Sequence, residues 1–178
     1  MNIISRIYYS FLILSGKKSV IGRKVKVKLY GKDGKNIVTI AKVDTGAYTT
    51  SIDKSLALEL GYQSLVDLKE SEELKKFIEK PIEEIKGNII GIQNIAYNEF
   101  KAKYPELSAI KIVISSHGVS IRPEFNIRIK FGGKDLITNC NITSRSNMKY
   151  SCLIGRKSLK NNVIDTSQSI WKATPGEI

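Results

Sequence analysis

Lys24-Val25-Lys26-Val27-Lys28-Leu29 alternates lysine and aliphatic residues without a break. A period of two places Val25, Val27 and Leu29 on one face of an extended chain and the lysines on the other, a pattern no helix could bury. The same period returns at Phe125, Ile127, Ile129 and Phe131, which alternate with Asn126, Arg128 and Lys130. Each run meets a turn and then a second apolar run: Gly31 to Asn36 before Ile37 to Val43, and Gly132 to Asp135 before Leu136 to Ile142. Both read as hairpins. Further strands are predicted at Ile110 to Ile114, at Tyr150 to Ile154 before Gly155, and at Val163 to Asp165.

Between the strand-rich halves the period changes. Leu56, Leu58 and Leu60 mark a helix stopped by Gly61, and Leu65, Leu68, Leu74, Phe77 and Ile78 predict a charged helix over about 64–80, ended by Pro81. Gly87 and Gly91 read as turns, with a short helix around 97–104 and the start of another at Lys157 to Leu159. The expected fold class is mainly β, a closed barrel with a helical insertion at about 61–111. An N-terminal arm over 1–20 precedes a single domain over 21–178, in keeping with a chain of 178 residues.

Composition narrows the chemistry. One histidine, His117, and two cysteines, Cys140 and Cys152, cannot build a four-ligand zinc site, and no His-Glu-x-x-His helix is present. No metal or organic cofactor is expected. Both cysteines sit in apolar, strand-like surroundings that suit buried hydrophobes better than nucleophiles. The apolar run Ile7 to Leu14 is far below the ~20 residues of a membrane span and makes a poor signal peptide, so the expected location is cytoplasmic. Lys and Arg number 29 against 17 acids, a net charge of +12. The excess is uneven: residues 1–36 hold nine basic groups and one acid, while 64–86 hold seven acids and five lysines. Such polarity draws anionic partners, though few aromatics interleave the basic residues, so nucleic acid is disfavoured as a partner.

Chemistry concentrates where the strand Ile40 to Val43 runs into Asp44-Thr45-Gly46-Ala47. This puts a carboxylate at a strand-to-turn transition, with Gly46 permitting close backbone approach and Thr45 offering a hydroxyl to fix the loop. A second element, Leu153-Ile154-Gly155-Arg156, follows downstream. Val163-Ile164-Asp165-Thr166-Ser167 imitates a second such loop, but only 11 residues follow it, too few for another lobe; Asp165 reads as a turn residue.

The pairing of Val-Asp-Thr-Gly-Ala with Leu-Ile-Gly-Arg-x-x-Leu resembles the retropepsin-like aspartic peptidases. More narrowly, Ser115-Ser116-His117-Gly118-Val119-Ser120-Ile121-Arg122-Pro123 and Ser144-Arg145-Ser146-Asn147-Met148 resemble the RimK-associated peptidases, once labelled ATP-dependent zinc proteases. The resemblance covers about 20–60 and 112–170, and Tyr48 stands where that family usually has lysine. It implies a retropepsin-like barrel of the acid protease fold with Asp44, Thr45 and Gly46 as the catalytic loop. It also implies substrate contacts from Ala47, from Ser116, His117 and Gly118 at the position of a flap, and from Arg122 and Arg145, which would bind acidic, glutamate-rich peptide. For Arg156 the resemblance leaves two roles, binding acidic substrate or bracing the fold by ion pairing, of which the second is favoured. Aspartic proteolysis needs two carboxylates sharing a proton, and one such loop is evident, so a twofold homodimer is expected with Asp44 from each chain. Two rivals stay open: a catalytically inactive peptidase-like binding module, and a nucleic-acid-binding protein driven by the basic N-terminal segment. A third reading, membrane-surface association through Ile7 to Leu14 beside lysines, stays open as an accessory trait.

Overall fold

The computed structural model describes residues 10–11, 14–15, 19–116 and 118–169. His117 and most of the N-terminal arm therefore lie outside the described residues. The strands are β1 (Ser19–Ile21), β2 (Lys24–Tyr30), β3 (Asn36–Asp44), β4 (Thr50–Asp53), β5 (Leu107–Ser115), β6 (Gly118–Phe131), β7 (Lys134–Thr143), β8 (Cys152–Gly155) and β9 (Asn162–Ile164). Five α-helices, α1 (Lys54–Glu59), α2 (Gln63–Glu70), α3 (Glu72–Lys75), α4 (Ile82–Gly87) and α5 (Ile89–Phe100), and a short 3-10 helix (Lys76–Ile78) fill the stretch between β4 and β5.

Six strands close on themselves in the order β2-β3-β8-β4-β7-β6, with β6 pairing back onto β2, so the fold is a mainly-β closed barrel carrying a helical insertion. Closure depends on the length of β6. Its first half pairs with β5, from Ser115 opposite Gly118 to Leu107 opposite Phe125. Its second half pairs with β7, and Arg128 to Lys130 also pair with β2. β1 and β9 form a separate parallel pair. Both predicted hairpins form; Gly132 and Gly133, at φ +53° and +71°, take the left-handed conformation that a two-residue β-turn demands.

The alternating residues sort as their period requires. Val25, Val27, Leu29, Phe125, Ile127, Ile129 and Phe131 are buried in one contiguous core that also takes in Leu56, Leu60, Leu65 and Leu68 from the helices. The insertion seals against the barrel through Tyr62, whose ring lies 4.3 Å from that of Phe125.

Several boundaries differ from the sequence reading. The helix expected over 64–80 is broken at Ser71, whose backbone is extended at ψ 142° and whose hydroxyl donates to the Leu68 carbonyl and accepts from the Leu74 amide. A serine able to satisfy both helix ends favours a break over continuation. The short helix placed at 97–104 is instead Ile89–Phe100, with Ile92, Ala96 and Phe100 buried at helical spacing. Gly91 lies inside that helix, where a Cβ would collide with the Asn88 side chain at 2.2 Å. Lys157 to Leu159 form a turn rather than a helix, β6 starts at Gly118 rather than Glu124, and helices occupy 54–100 rather than 61–111.

Candidate active site

β3 ends on Asp44, and the chain returns through β4, yet the two strands are not neighbours: β8 lies between them, parallel to β3 and antiparallel to β4. The register sets Asp44 opposite Gly155. An alanine Cβ at Gly155 would stand 2.4 Å from the Thr49 carbonyl oxygen, so only glycine lets the loop lie this close to β8. The loop is then bonded to the chain leaving β8: the Arg156 amide donates to the Ala47 carbonyl at 2.9 Å and the Lys157 amide to the Tyr48 carbonyl at 3.0 Å.

Within this cradle Asp44 Oδ1 accepts from the amides of Gly46 at 3.0 Å and Ala47 at 3.3 Å. The carboxylate is half-buried, while Thr45 and Gly46 are exposed. Thr45 was expected to fix the loop through its hydroxyl; among the described residues that task falls to Thr49 and Thr50 instead. Asn141 donates to Thr49 Oγ1 at 2.9 Å and to the Thr50 carbonyl at 3.2 Å. Thr50 and Thr138 each meet the Ser158 hydroxyl at 2.8 Å, in a buried chain tying β4, β7 and the turn after β8 together. These five residues, missed in the sequence, are ordinary polar residues whose partners lie tens of positions away.

A cleft of about 640 Å³ opens beside this scaffold, between the β5–β6 hairpin at Ser115, Gly118 and Arg122 and the segment Thr143 to Met148, which includes Arg145. It thus gathers Gly118, Arg122 and Arg145, with exposed Ser116 at the hairpin tip beside them. Among the described residues Arg122 bonds neutral groups, Ser120 Oγ at 3.0 Å and Asn141 Oδ1 at 3.4 Å. Burial pushes its pKa down, and the nearby Arg145 adds to the effect. Arg145 is buried, with Nε donating to the Tyr150 carbonyl at 2.9 Å. Burial lowers its pKa too, against the pull of Cys152, Asp53 and Asp44. Neither arginine has an ion-pair partner among the described residues.

Asp53, at the end of β4, joins the loop to the cleft. Its Oδ2 caps α1 by accepting from the Ser55 amide at 3.0 Å and hydroxyl at 2.7 Å, and its Oδ1 accepts from the Arg145 amide. Burial works to raise its pKa, but these hydrogen bonds prevail and hold it below the ordinary carboxylate range. Its stabilising contribution is therefore present at neutral pH and lost as the pH falls through its folded-state value. Asp53→Ala is expected to cost about 2–3 kcal/mol by removing a cap and orphaning a buried amide, read as a lower midpoint in urea.

Glu124 is the unexpected acid. It lies on β6 opposite Asn141, is only 4% exposed, and its Oε2 has no hydrogen-bond partner. Burial pushes its pKa up, opposed by Lys111 and Lys157. A carboxyl whose folded-state pKa is raised loses its contribution as pH climbs from the unfolded value through the folded one. Glu124→Gln is accordingly expected to gain stability relative to wild type as the pH rises from 4 to 8, by about 1–3 kcal/mol. Denaturant midpoints across that range check it; a constant offset contradicts it.

The other candidates resolve simply. Arg156, expected to brace by ion pairing, lies instead over the Tyr48 ring at 5.5 Å. Cys140 and Cys152 are fully buried, and burial raises both thiols, Cys152 to about 12. Asp165 is bound within its own turn, accepting from the Ser167 amide at 2.9 Å and from Gln168 at 2.9 Å. Among the described residues no three His, Cys, Asp or Glu side chains gather as metal ligands would.

No protein-family model and no curated protein sequence matches the chain. Among solved structures it is similar to protein Lpg0085 of Legionella pneumophila, a protein with unknown function (DUF785), at 18% identity and a TM-score of 0.44, with 85% of this chain and 96% of that one covered.

Proposed function

We propose that the chain is one half of a homodimeric aspartic endopeptidase, in which Asp44 and its symmetry mate share a proton and activate a water between them. The observation that supports this most is the cradle around Asp44: a carboxylate at a strand end, one oxygen held by the Gly46 and Ala47 amides, lying against Gly155 of a strand threaded between the loop's two arms. Such fixation leaves the second oxygen to face a partner. In the dyad the ionised carboxylate takes a proton from water as the water oxygen bonds to the scissile carbonyl carbon, while the protonated carboxyl donates to the carbonyl oxygen. Collapse of the tetrahedral intermediate returns a proton to the departing nitrogen and breaks the C–N bond. Each barrel supplies one such loop, which makes the dimer a requirement of the chemistry rather than an addition to it.

The cleft suggests the substrate. Two desolvated arginines that line one cleft and have no ion-pair partner among the described residues favour a ligand that brings carboxylates, and the hydroxyls of Ser144 and Ser146 line the same cleft. Glutamate-rich peptide fits that chemistry. Incubation with α-linked and side-chain-linked oligoglutamates, read by mass spectrometry alongside the solution mass, tests the proposal. Cleavage by a species of twice the chain mass is expected; intact peptides of both kinds would refute the acidic-substrate assignment.

A further inference from the structure

β3, β2, β6 and β7 are consecutive neighbours in the barrel wall, and their outward residues form one surface. Lys24 sits directly opposite Lys42, and Lys28 directly opposite Lys130. Like charges in facing positions destabilise a ladder, and among the described residues the ion pair on this wall is Arg128 with Asp135 at 2.7 Å. Lys26 stands between the two lysine pairs on the same face. Aliphatic residues flank these cations: Val38, opposite Lys28, is 45% exposed, and Ile137, opposite Arg128, is 73% exposed. The aromatic rings beside these cations are already covered, Tyr30 by Lys28 at 5.2 Å and Arg128 at 4.7 Å, and Tyr150 by Lys24 at 5.6 Å. Upstream of β1, Phe11 and Leu14 are also 61% and 86% exposed.

We propose that this wall is a docking surface for an anionic lipid bilayer, with the lysines at the headgroups and Val38 and Ile137 set shallowly among them. The complementarity is of three kinds. Surplus positive charge, with Lys24, Lys26, Lys28, Lys42 and Lys130 in no ion pair among the described residues, meets a negative surface potential, and each lysine near such a surface adds to binding. Long lysine stems can lie along the apolar boundary while their ammonium groups reach phosphate or carboxylate. The cleft at Arg122 is lined by other residues than these lysines, and a fluid membrane surface needs no groove to receive them. Two copies of this wall would repel each other, so it is separate from any dimer contact. A nucleic acid would find no uncovered ring to stack on and no use for the aliphatics.

The full chain is sedimented with phosphatidylcholine vesicles, with and without phosphatidylserine, and titrated in parallel with a labelled DNA duplex. Binding to the serine-containing vesicles only, falling as salt rises, is expected. The triple variant Lys26→Glu, Lys28→Glu, Lys130→Glu should lose at least about a hundred-fold in affinity. Val38→Ser with Ile137→Ser should weaken vesicle binding several-fold at unchanged charge. Circular dichroism establishes that each variant is folded; Gln replaces Glu at the three lysines if the reversal does not fold. No binding to anionic vesicles, or equal binding by the charge variant, overturns the proposal. Duplex binding without vesicle binding overturns it as well and gives the wall to nucleic acid.

Discussion

Asp44→Asn is expected to cut peptide hydrolysis by on the order of 10³- to 10⁴-fold while leaving the fold intact. The asparagine keeps the carbonyl oxygen that accepts from the Gly46 and Ala47 amides, so the loop retains its hydrogen bonds. What it cannot do is hold or release the shared proton, and a variant dimer, with an amide on both sides of the axis, has neither base nor acid. Stability within about 1 kcal/mol of wild type, alongside lost cleavage, is the expected pair of results. Full activity in this variant would remove Asp44 from the chemistry.

Gly155→Ala is expected to have the largest structural effect of any single methyl group near the site. Its Cβ would meet the Thr49 carbonyl oxygen at 2.4 Å and carbonyl carbon at 2.5 Å, backbone atoms that no rotamer change can move aside. Either β8 withdraws from β3 or the Asp44 loop is pushed out, and both break the Arg156–Ala47 and Lys157–Tyr48 backbone bonds. A cost of about 2–4 kcal/mol follows, a fall of roughly 5–15 °C in melting temperature. Gly31→Ala provides the comparison, since its Cβ would meet the Leu60 carbonyl oxygen at 2.2 Å. Both variants should be destabilised, but only Gly155→Ala should also lose activity per folded molecule. Equal specific activity in the two would mean that the β8 contact does not position Asp44.

How much of this was legible in the sequence depends on the range of the interactions involved. The strands with a strict period of two, 24–30 and 125–131, were readable because one buried face imposes the pattern residue by residue. The Asp44 loop and the Gly155 strand were visible as short motifs, and their register, with Gly155 opposite Asp44, brings the two together. The break at Ser71 was hidden because the leucines on both sides keep helical spacing; only the hydroxyl's choice of backbone partners ends the helix. Ile89–Phe100 was obscured by Gly91, a residue of low helix propensity that tertiary packing against β5 overrides. Thr49, Thr50, Asn141 and Ser158 carried no local signal at all, since their value lies in hydrogen bonds spanning 91 to 108 positions. Glu124 stood only as the start of an alternating strand; its burial arises from tertiary surroundings that the strand's own pattern does not encode.

Sharing of one site between two chains is tested most directly by co-refolding a fixed amount of wild-type chain with increasing amounts of Asp44→Asn chain and measuring peptide cleavage. If the dyad needs an aspartate from each protomer, mixed dimers are inactive, so activity should fall by about half at equal amounts and approach zero in excess variant. Activity that stays constant at every ratio would mean that each barrel works alone, and a dyad across a twofold axis would be ruled out.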